Sequence, residues 1–241
     1  MKKKFNNRIF FENRAKKGIG FHYADRWQNL YAFKIRAYAL KKIGEFFFDA
    51  TVVDVGCGGG LWFPFWKSFF VRDVIGLEQS KFLADNAFIK TGVFFNYRTY
   101  VTDITKKSKF DLSVDVAVLI TVFNYTDPEK RGIVLENIKS LLKPGGYLVL
   151  LDEFPRRVPS YQKNLSYKSL MTDLEVENLL IKHKIKIVKI VPVNYVRNFL
   201  FFHFGSNRLI YLITYFFDRL LLRLFPVKLS KEKVILAKTK I

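Results

Sequence analysis

Cysteine is almost absent from this chain, which limits the chemistry available to stabilise it. Cys57 is the single cysteine among 241 residues, so no internal disulfide forms. This usage suits a reducing cytoplasm, the compartment that the sequence predicts. The three histidines, His22, His183 and His203, lack the spacing of metal ligands, so we expect no metal site. A chain of this length can bury about 70–75% of its unfolded surface and needs no covalent staple.

Long apolar runs and acidic residues are also scarce. The longest apolar run, Leu209 to Phe217 with Thr214 inside it, is too short to span a bilayer. The basic start, residues 1–4, has no apolar segment behind it and is not expected to be a secretory signal. Lys and Arg number 41 against 21 Asp and Glu, a net charge of +20. This excess favours a negatively charged neighbour such as nucleic acid, anionic lipid or a phosphorylated substrate, although a compositionally biased genome would also enrich lysine.

Four of the few glycines are concentrated in one short segment. An apolar run, Val52-Val53-Asp54-Val55, ends near an acid and is followed by Gly56, Gly58, Gly59 and Gly60. The run predicts a buried strand, and the glycines predict a tight turn where backbone can approach a ligand closely. With a helix expected next, the segment predicts the first βα corner of a doubly wound sheet. Ligands bind at such corners because the carboxyl ends of the strands open onto a crevice.

Further apolar runs follow at the spacing that such a sheet requires. The run at residues 74–78 ends in Glu78, whose carboxylate could accept hydrogen bonds from both hydroxyls of a ribose. Residues 101–104, with Asp103 among them, form a third run, and residues 114–120 predict a β-branched fourth strand. Residues 142–146, Leu-Lys-Pro-Gly-Gly, predict a helix end and a turn before a fifth strand.

Together these motifs resemble the class I S-adenosylmethionine-dependent methyltransferases. Asp54-x-Gly56-x-Gly58-x-Gly60 matches the first motif of that family, and Lys143-Pro144-Gly145-Gly146 matches its late turn. The resemblance covers residues 50–155 and, more loosely, 166–193. It implies an α/β fold: a doubly wound, Rossmann-like sheet of seven strands with an antiparallel last strand. The fingerprint of nicotinamide-dependent dehydrogenases, Gly-x-Gly-x-x-Gly, fits these residues less well.

The resemblance also implies S-adenosylmethionine as the cofactor. Glu78 stands where the family binds the ribose, and Asp103 where an acid accepts from the adenine amino group. Cys57 is interpreted as a small packing residue rather than a catalytic thiol. The predicted cofactor-binding residues are Asp54, Gly56, Cys57, Gly58, Gly60, Glu78, Gln79, Asp103, Ile104, Ile120, Trp27 and Arg36.

The amino-terminal region, residues 1–44, is predicted to be an arm with a lid helix ahead of a methyltransferase domain at 45–241. Residues 1–20 are basic and polar and predict a poorly ordered arm, whereas Tyr23 to Ile43 has helical spacing. In the resembled family, such a segment closes over the methionine end of the cofactor. Tyr23 or Trp27 could then contact the sulfonium, and Arg36 could pair with the cofactor carboxylate. Packing into the core is the alternative for these aromatics.

The remaining elements are predicted from helical and alternating spacing. Helices are expected at residues 61–70, 80–91, 127–140 and 167–182, with Asp127 capping the third, and strands at 185–193 and 234–237. A helical insert at about 195–230 separates the last two strands. Its helix, Arg208 to Phe225, is amphipathic. One face carries Ile210, Ile213, Phe217, Leu220, Leu221 and Leu224, and the other carries Arg208, Arg219 and Arg223.

Two interpretations of the insert helix remain open. It is either a peripheral membrane-surface helix or a cap packed on its own domain or on a second subunit, and the cap is favoured. The oligomeric state stays open as well.

The expected chemistry is methyl transfer without a catalytic metal. The sulfonium is already a strong electrophile, so the enzyme must position an acceptor and exclude water. An amine or hydroxyl acceptor also benefits from a general base. The segments after the fourth and fifth strands offer Thr121 and Asn124 and, as catalytic candidates, Tyr125, Asp152 and Glu153.

The sequence therefore predicts a cytoplasmic methyltransferase, at the inner face of the membrane if the insert binds lipid. Its acceptor would be an oxygen or nitrogen of a small molecule, a saccharide or a lipid-linked compound. An RNA methyltransferase is the alternative that the net charge favours, although no RNA-binding module is present. A non-catalytic protein that kept the fold is a third alternative. Three carboxylates around one cleft, Asp54, Glu78 and Asp103, argue against it.

Overall fold

A computed structural model of the chain describes residues 7–16, 26–91, 97–106, 111–158, 169–195, 201, 204–205 and 207–239. The strands are β1 (Thr51–Val55), β2 (Asp73–Glu78), β3 (Tyr97–Val101), β4 (Val114–Ile120), β5 (Leu142–Glu153), β6 (Ile185–Asn194) and β7 (Glu232–Thr239). The described helices are α1 (Asn7–Lys16), α2 (Arg26–Lys41), α3 (Phe63–Lys67), α4 (Lys81–Thr91), α5 (Arg131–Leu141), α6 (Asp173–Lys182) and α7 (Arg208–Leu224). None of them is long and apolar enough to cross a membrane.

The strands form one sheet in the order β3-β2-β1-β4-β5-β7-β6. Strands β1 to β5 pair in parallel, and β7 runs antiparallel to both of its neighbours, β5 and β6. This is the predicted doubly wound, seven-stranded sheet with an antiparallel last strand. The carboxyl ends of β1, β2, β4 and β5 meet along one side of the sheet, which we call the carboxyl edge. The order reverses at β1, so the crevice expected of such a sheet opens there.

Two apolar layers cover the sheet, one on each face. Alternate residues of a strand point to opposite faces, so Val52 packs in one layer and Val53 in the other. The first layer includes residues of α2, α3 and α7, and the second includes residues of α5 and α6. Because both faces of the sheet are covered, the central strands are nearly continuous apolar runs. The sequence therefore predicted these strands from their apolar residues alone.

Two predicted helices are shorter than expected, Phe63–Lys67 instead of 61–70 and Asp173–Lys182 instead of 167–182. Three further local predictions were wrong. Residues 7–16 form α1, whereas the sequence predicted a poorly ordered arm up to residue 20. The predicted helix start at Asp127 is a 3₁₀ turn, Pro128–Lys130, and Asp127 makes no side-chain capping bond, so the α-helix begins only at Arg131. The Lys-Pro-Gly-Gly segment lies within β5, where the pairing with β4 jumps from Leu142 to Tyr147, so it bulges out of the ladder instead of preceding the strand.

Candidate functional site

The glycine turn joins β1 to α3 at the carboxyl edge. Gly56, Gly58 and Gly60 all have positive φ, at 71°, 55° and 73°, a conformation that side chains with a Cβ rarely adopt. The Gly56 N–H donates to the Leu77 carbonyl at 2.7 Å, which fastens the turn to β2. A Cβ at Gly56 would lie 2.6 Å from Cγ2 of Val122, so the turn also packs closely on the segment after β4. Gly56 therefore requires glycine for both conformation and space, and the positive φ of Gly58 and Gly60 favours glycine there too.

Glu78 ends β2 beside this turn, and its carboxylate is held in place by backbone donors. Oε2 accepts from the Gly58 N–H at 3.0 Å, and Oε1 accepts from the Ser80 N–H at 2.9 Å. Burial raises the pKa of the Glu78 carboxyl, and the backbone hydrogen bonds oppose that rise. Each carboxylate oxygen has a second lone pair, so Glu78 can still accept from the two hydroxyls of a ribose. The acid is thus oriented at the position where the sequence predicted a ribose contact.

Asp54 lies on the same face of the sheet as Glu78 but deeper, and its partner is a residue that the sequence did not reveal. The Trp66 indole N–H of α3 donates to Oδ2 of Asp54 at 3.0 Å. Burial raises the pKa of Asp54 to about 7, the Trp66 hydrogen bond lowers it, and the charge of Glu78 raises it further. No motif or spacing pointed to Trp66, because an aromatic residue in a crossover helix ordinarily packs against the sheet.

Cys57 is a buried residue inside the turn. Burial raises the pKa of its thiol well above the usual value, with the charges of Asp54 and Glu78 adding to the rise. A Cβ at Gly76 would lie 2.7 Å from the Cys57 sulfur, so the side chain packs against β2. A thiol that stays protonated supports the interpretation of Cys57 as a packing residue rather than a nucleophile.

Asp103 and Ile104 follow β3. Oδ1 of Asp103 accepts from the Thr105 N–H at 3.0 Å and from its hydroxyl at 2.6 Å. Oδ2 lies 3.9 Å from Nζ of Lys106. Ile104 is buried, and its carbonyl accepts from the Asn137 amide at 2.8 Å. Asp103 therefore lies in an ordered loop after β3, next to the end of β2. This is the position where the sequence predicted a contact with the adenine amino group.

The other predicted cofactor residues divide into three groups. Ile120 is buried at the end of β4, close to the glycine turn in the sheet, whereas Gln79 is exposed. Trp27 belongs to α2, but its side chain lies outside the described residues, as does Tyr23. Arg36 is placed differently from the prediction. It is buried in α2, where its Nε donates to Oε1 of Glu232 at 2.5 Å. Arg36 therefore pairs with a glutamate side chain, whereas the sequence predicted a pair with the cofactor carboxylate.

Thr121, directly after β4, combines two unusual features. It is β-branched, yet its φ is +55°, a region that such residues rarely occupy. Its hydroxyl oxygen is buried and has no hydrogen-bond partner among the described residues, while its N–H donates to the Leu151 carbonyl at 2.7 Å. Strained backbone and unpaired buried polar atoms both persist mainly where function requires them. The sequence placed Thr121 in the right region but carried no sign of either feature.

Asp152, a predicted base candidate, is buried at the junction of two loops. Oδ2 accepts from the Asn124 N–H at 3.0 Å, and Oδ1 accepts from the Asn124 side-chain amide at 2.8 Å and from the Glu153 N–H at 2.9 Å. These bonds tie the 3₁₀ turn after β4, Phe123–Tyr125, to the end of β5. The geometry gives Asp152 a structural role, so it does not support the prediction of a general base there.

Glu153 points to the opposite face, because side chains alternate along β5. It pairs in register with Glu232 at the start of β7. Glu232 accepts from Arg36 and from the Asn194 side-chain amide. A Glu153 carboxylate therefore stands at the carboxyl edge next to a buried ion pair, on the same face as Asp54 and Glu78.

Helix α1 covers the carboxyl edge above the turn. The Ser80 hydroxyl donates to Oε2 of Glu12 at 3.1 Å, and the rings of Phe11 and Tyr125 meet edge to face at 5.2 Å. Ser80 follows β2 and Tyr125 follows β4, so the two contacts lie on either side of β1 and its glycine turn. The segment that covers the crevice is therefore α1, where the sequence predicted a disordered arm. Carboxylates, hydroxyls and backbone amides line this edge. The described residues contain no group of three or more His, Cys, Asp or Glu that could hold a metal ion.

Comparison with known proteins agrees with this geometry. Residues 52–146, from β1 to the start of β5, match a protein-family model described as "Methyltransferase domain". A search of curated protein sequences found no match. Together with the glycine turn and the carboxylates around it, the match assigns residues 52–146 to a methyltransferase domain and indicates an enzyme whose cofactor is S-adenosylmethionine.

Solved structures share the fold at low sequence identity. DhpI in complex with SAH aligns at a TM-score of 0.67 and 13% identity, over 97% of this chain and 95% of that one. A chain of the complex between the Haloferax volcanii Trm112 methyltransferase activator and a methyltransferase aligns at 0.66 and 16%, over 98% of each chain. The Burkholderia thailandensis 1,6-didemethyltoxoflavin-N1-methyltransferase, bound to its acceptor and S-adenosylhomocysteine, aligns at 0.61 and 16%, over 97% and 87%. At these identities the similarity shows the fold.

Proposed function

We propose that this methyltransferase acts on an oxygen or nitrogen of a small molecule or saccharide, or of a small head group on a lipid-linked acceptor. The observation that carries the proposal is the covered crevice: α1 contacts both Ser80 and Tyr125 and closes the carboxyl edge between them. A crevice of this kind admits a small group more readily than a folded nucleic acid. The small-molecule acceptor in the Burkholderia structure fits the same interpretation.

The residues around the turn suit the cofactor. When bound, S-adenosylmethionine supplies a methyl group on an electrophilic sulfonium. Glu78 would accept from the ribose hydroxyls, since backbone donors already orient its carboxylate. Asp103 would accept from the adenine amino group. Asp54 would stabilise the turn from its buried position at the end of β1, where the Trp66 indole N–H donates to its carboxylate.

The acceptor would be handled by residues after β4 and β5. The Thr121 hydroxyl is buried without a partner among the described residues and would hydrogen-bond the acceptor or the cofactor's reacting end. Glu153, on the same face as Glu78, is the better placed of the two carboxylates to take a proton from an acceptor hydroxyl or amine. Tyr125 would line the crevice beneath Phe11 of α1.

Helix α1 would act as a lid. With Phe11 on Tyr125 and Glu12 on Ser80, the helix must move for cofactor and acceptor to enter, and its return would exclude water from the transfer. The lid role that the sequence predicted for residues 23–43 thus passes, in this proposal, to residues 7–16.

The test joins a binding measurement to acceptor fractionation. Calorimetry first measures binding of S-adenosylmethionine to the pure protein. The protein and methyl-labelled cofactor are then incubated with cell extract, which supplies any protein activator, and the products are separated into polar, lipid and RNA fractions. We expect label in the polar or lipid fraction, resistant to ribonuclease. Label confined to RNA would support the RNA alternative that the net charge of +20 favours.

A further inference from the structure

Helix α7 is fixed to the rest of the molecule by its inner face. Thr214 and Asp218 are fully buried there, with Leu222 one turn further on. The Asp218 carboxylate accepts from the Tyr31 hydroxyl of α2 and, at 2.5 Å, from the Tyr195 N–H just after β6. Because two separate elements hold a buried carboxylate of α7, the helix is anchored in one orientation. The cap interpretation of the sequence therefore describes this inner face.

The outer face of the same helix carries a continuous apolar stripe. Its side chains recur at the three- and four-residue spacing of one helix face, and each is between 41% and 67% exposed. They are Leu209, Leu212, Phe216, Phe217, Leu220 and Leu224, which we call the outer stripe. The sequence placed Phe217, Leu220 and Leu224 on the same face as Ile210. In the structure Ile210 packs on the core and the other three point outward. Contiguous exposed apolar side chains of this kind are typical of an interaction surface.

Positive charge borders the outer stripe. The exposed basic residues of this part of the chain are Arg208, Arg219, Arg223, Lys228 and Lys231. The only acidic residue between 207 and 231 is Asp218, and it is buried on the inner face. Arg219 lies along α2, with its guanidinium carbon 4.6 Å from the ring centre of Tyr38. The exposed surface of α7 is therefore apolar and basic, with no carboxylate to repel an anion.

These features select among partners for the surface. A second copy of this chain would bring another +20 charge, with the same basic border, against the first. An anionic partner gains from that border instead. A lipid surface also accepts apolar side chains at shallow depth without a shaped pocket. We infer that α7 docks the enzyme on an anionic lipid surface, with the outer stripe among the acyl chains and the arginines on the phosphates. The inference goes beyond the proposed function and does not depend on the acceptor.

The experiment measures binding of the full-length protein to vesicles by sedimentation. Neutral vesicles of phosphatidylcholine are compared with vesicles that also contain phosphatidylglycerol. We expect tighter binding to the anionic vesicles and a loss of that preference with added salt. Replacing Arg208, Arg219 and Arg223 with Gln should weaken binding about fivefold per arginine, on the order of 100-fold together. A matched control replaces Lys130, Lys139 and Lys182 with Gln, which removes the same charge from the opposite side of the sheet and should change binding far less.

A second pair of variants separates docking from folding. Changing Phe216 and Leu220 to Ser should reduce vesicle binding at least about tenfold and leave the melting temperature unchanged, because both side chains are exposed. Changing the buried Leu222 to Ser should instead lower the melting temperature. Wild-type protein that ignores anionic vesicles, or an arginine variant that binds as tightly as its lysine control, would overturn the inference. So would concentration-dependent self-association that the Phe216 and Leu220 changes abolish, since the surface would then belong to a second copy.

Discussion

At Glu78, two backbone N–H groups orient the carboxylate before any ligand arrives. Both oxygens retain a lone pair, so a ribose bound as we propose would meet an acceptor whose position is already fixed. The same residue also steadies the glycine turn, because one of its donors is Gly58.

We predict that Glu78→Ala weakens S-adenosylmethionine binding by about 1–3 kcal/mol, the value of charge-assisted hydrogen bonds. Calorimetry measures the change, and circular dichroism checks that the variant is folded. Glu177→Ala, an exposed change in α6, serves as the matched control and should bind normally. Unchanged affinity in a folded Glu78→Ala protein would mean that the ribose is held elsewhere.

Asp54 should make stability depend on pH. Burial raises its pKa from 3.8 to about 7, so the folded protein holds this proton more tightly than the unfolded chain does. The resulting stability is complete below the unfolded pKa of about 4 and is lost as pH rises through about 7. Between about pH 5 and 8 the apo protein should lose on the order of 1–3 kcal/mol from this group.

The variant Asp54→Asn keeps an oxygen that can accept from Trp66 but removes the ionisation. It should therefore gain stability relative to wild type as pH rises. Denaturant titrations at several pH values between about 5 and 8 measure the trend. Asp111→Asn, at an exposed position, is the control and should follow wild type. A parallel pH dependence in wild type and Asp54→Asn would contradict the prediction.

Substitution of Thr121 tests whether its strained backbone conformation serves the reaction or only costs stability. A glycine accepts the φ of +55° without strain, so Thr121→Gly should leave stability unchanged or raise it by up to about 1 kcal/mol. It should nevertheless slow methyl transfer to the labelled fraction, because the hydroxyl is lost. Thr121→Ser restores the hydroxyl and should recover most of the rate. A Gly variant as active as wild type would show that the strained residue has no part in the reaction.

At the scale of the element, α1 and α7 both depart from what their own residues indicate. Helix α1 is short and polar, yet its Phe11 and Glu12 reach opposite sides of the glycine turn. Helix α7 is amphipathic, yet apolar side chains lie both on its anchored face and on its exposed face. In each case the neighbouring elements decide which side chains pack.

For α1, we predict that Phe11→Ala speeds release of S-adenosylmethionine and spares the fold. Losing most of the Phe11 contact with Tyr125 should weaken lid closure by about 1–2 kcal/mol, or roughly tenfold in the release rate. Stopped-flow displacement of bound cofactor measures that rate. Ile9→Ala, at an exposed position on the same helix, is the control. Equal release rates in both variants and wild type would mean that α1 does not close over the cofactor.

At the scale of the whole molecule, the net charge of +20 opposes compactness. Like charges repel across the surface, and salt screens that repulsion over about 10 Å at 0.1 M. We predict that raising NaCl from about 20 to 300 mM increases the melting temperature by a few degrees. A neutral osmolyte at the same osmolarity separates screening from solvent exclusion. A lower melting temperature at high salt would indicate that surface ion pairs outweigh the repulsion.

The sequence by itself determined the strands and the glycine turn, whose conformations depend on residues close together along the chain. Strands β1, β2 and β4 are apolar runs within a residue of the predicted bounds, because burial on both faces leaves a local pattern. The Gly56–Gly60 turn was legible because positive φ demands glycine at the position itself. Glu78 was predicted from its spacing after that turn, and Asp103 from the resemblance to the methyltransferase family.

Only the tertiary structure decided which distant groups meet. Arg36 pairs with Glu232 across 196 positions of chain, and Tyr31 meets Asp218 across 187, so no local pattern could foretell either contact. No local pattern predicted the N–H groups that donate to the Asp152 carboxylate or the positive φ of Thr121. Nor did one predict that α7 has an anchored face and an exposed face. Helical periodicity states that one face is apolar, but packing alone selects which side chains the rest of the fold covers.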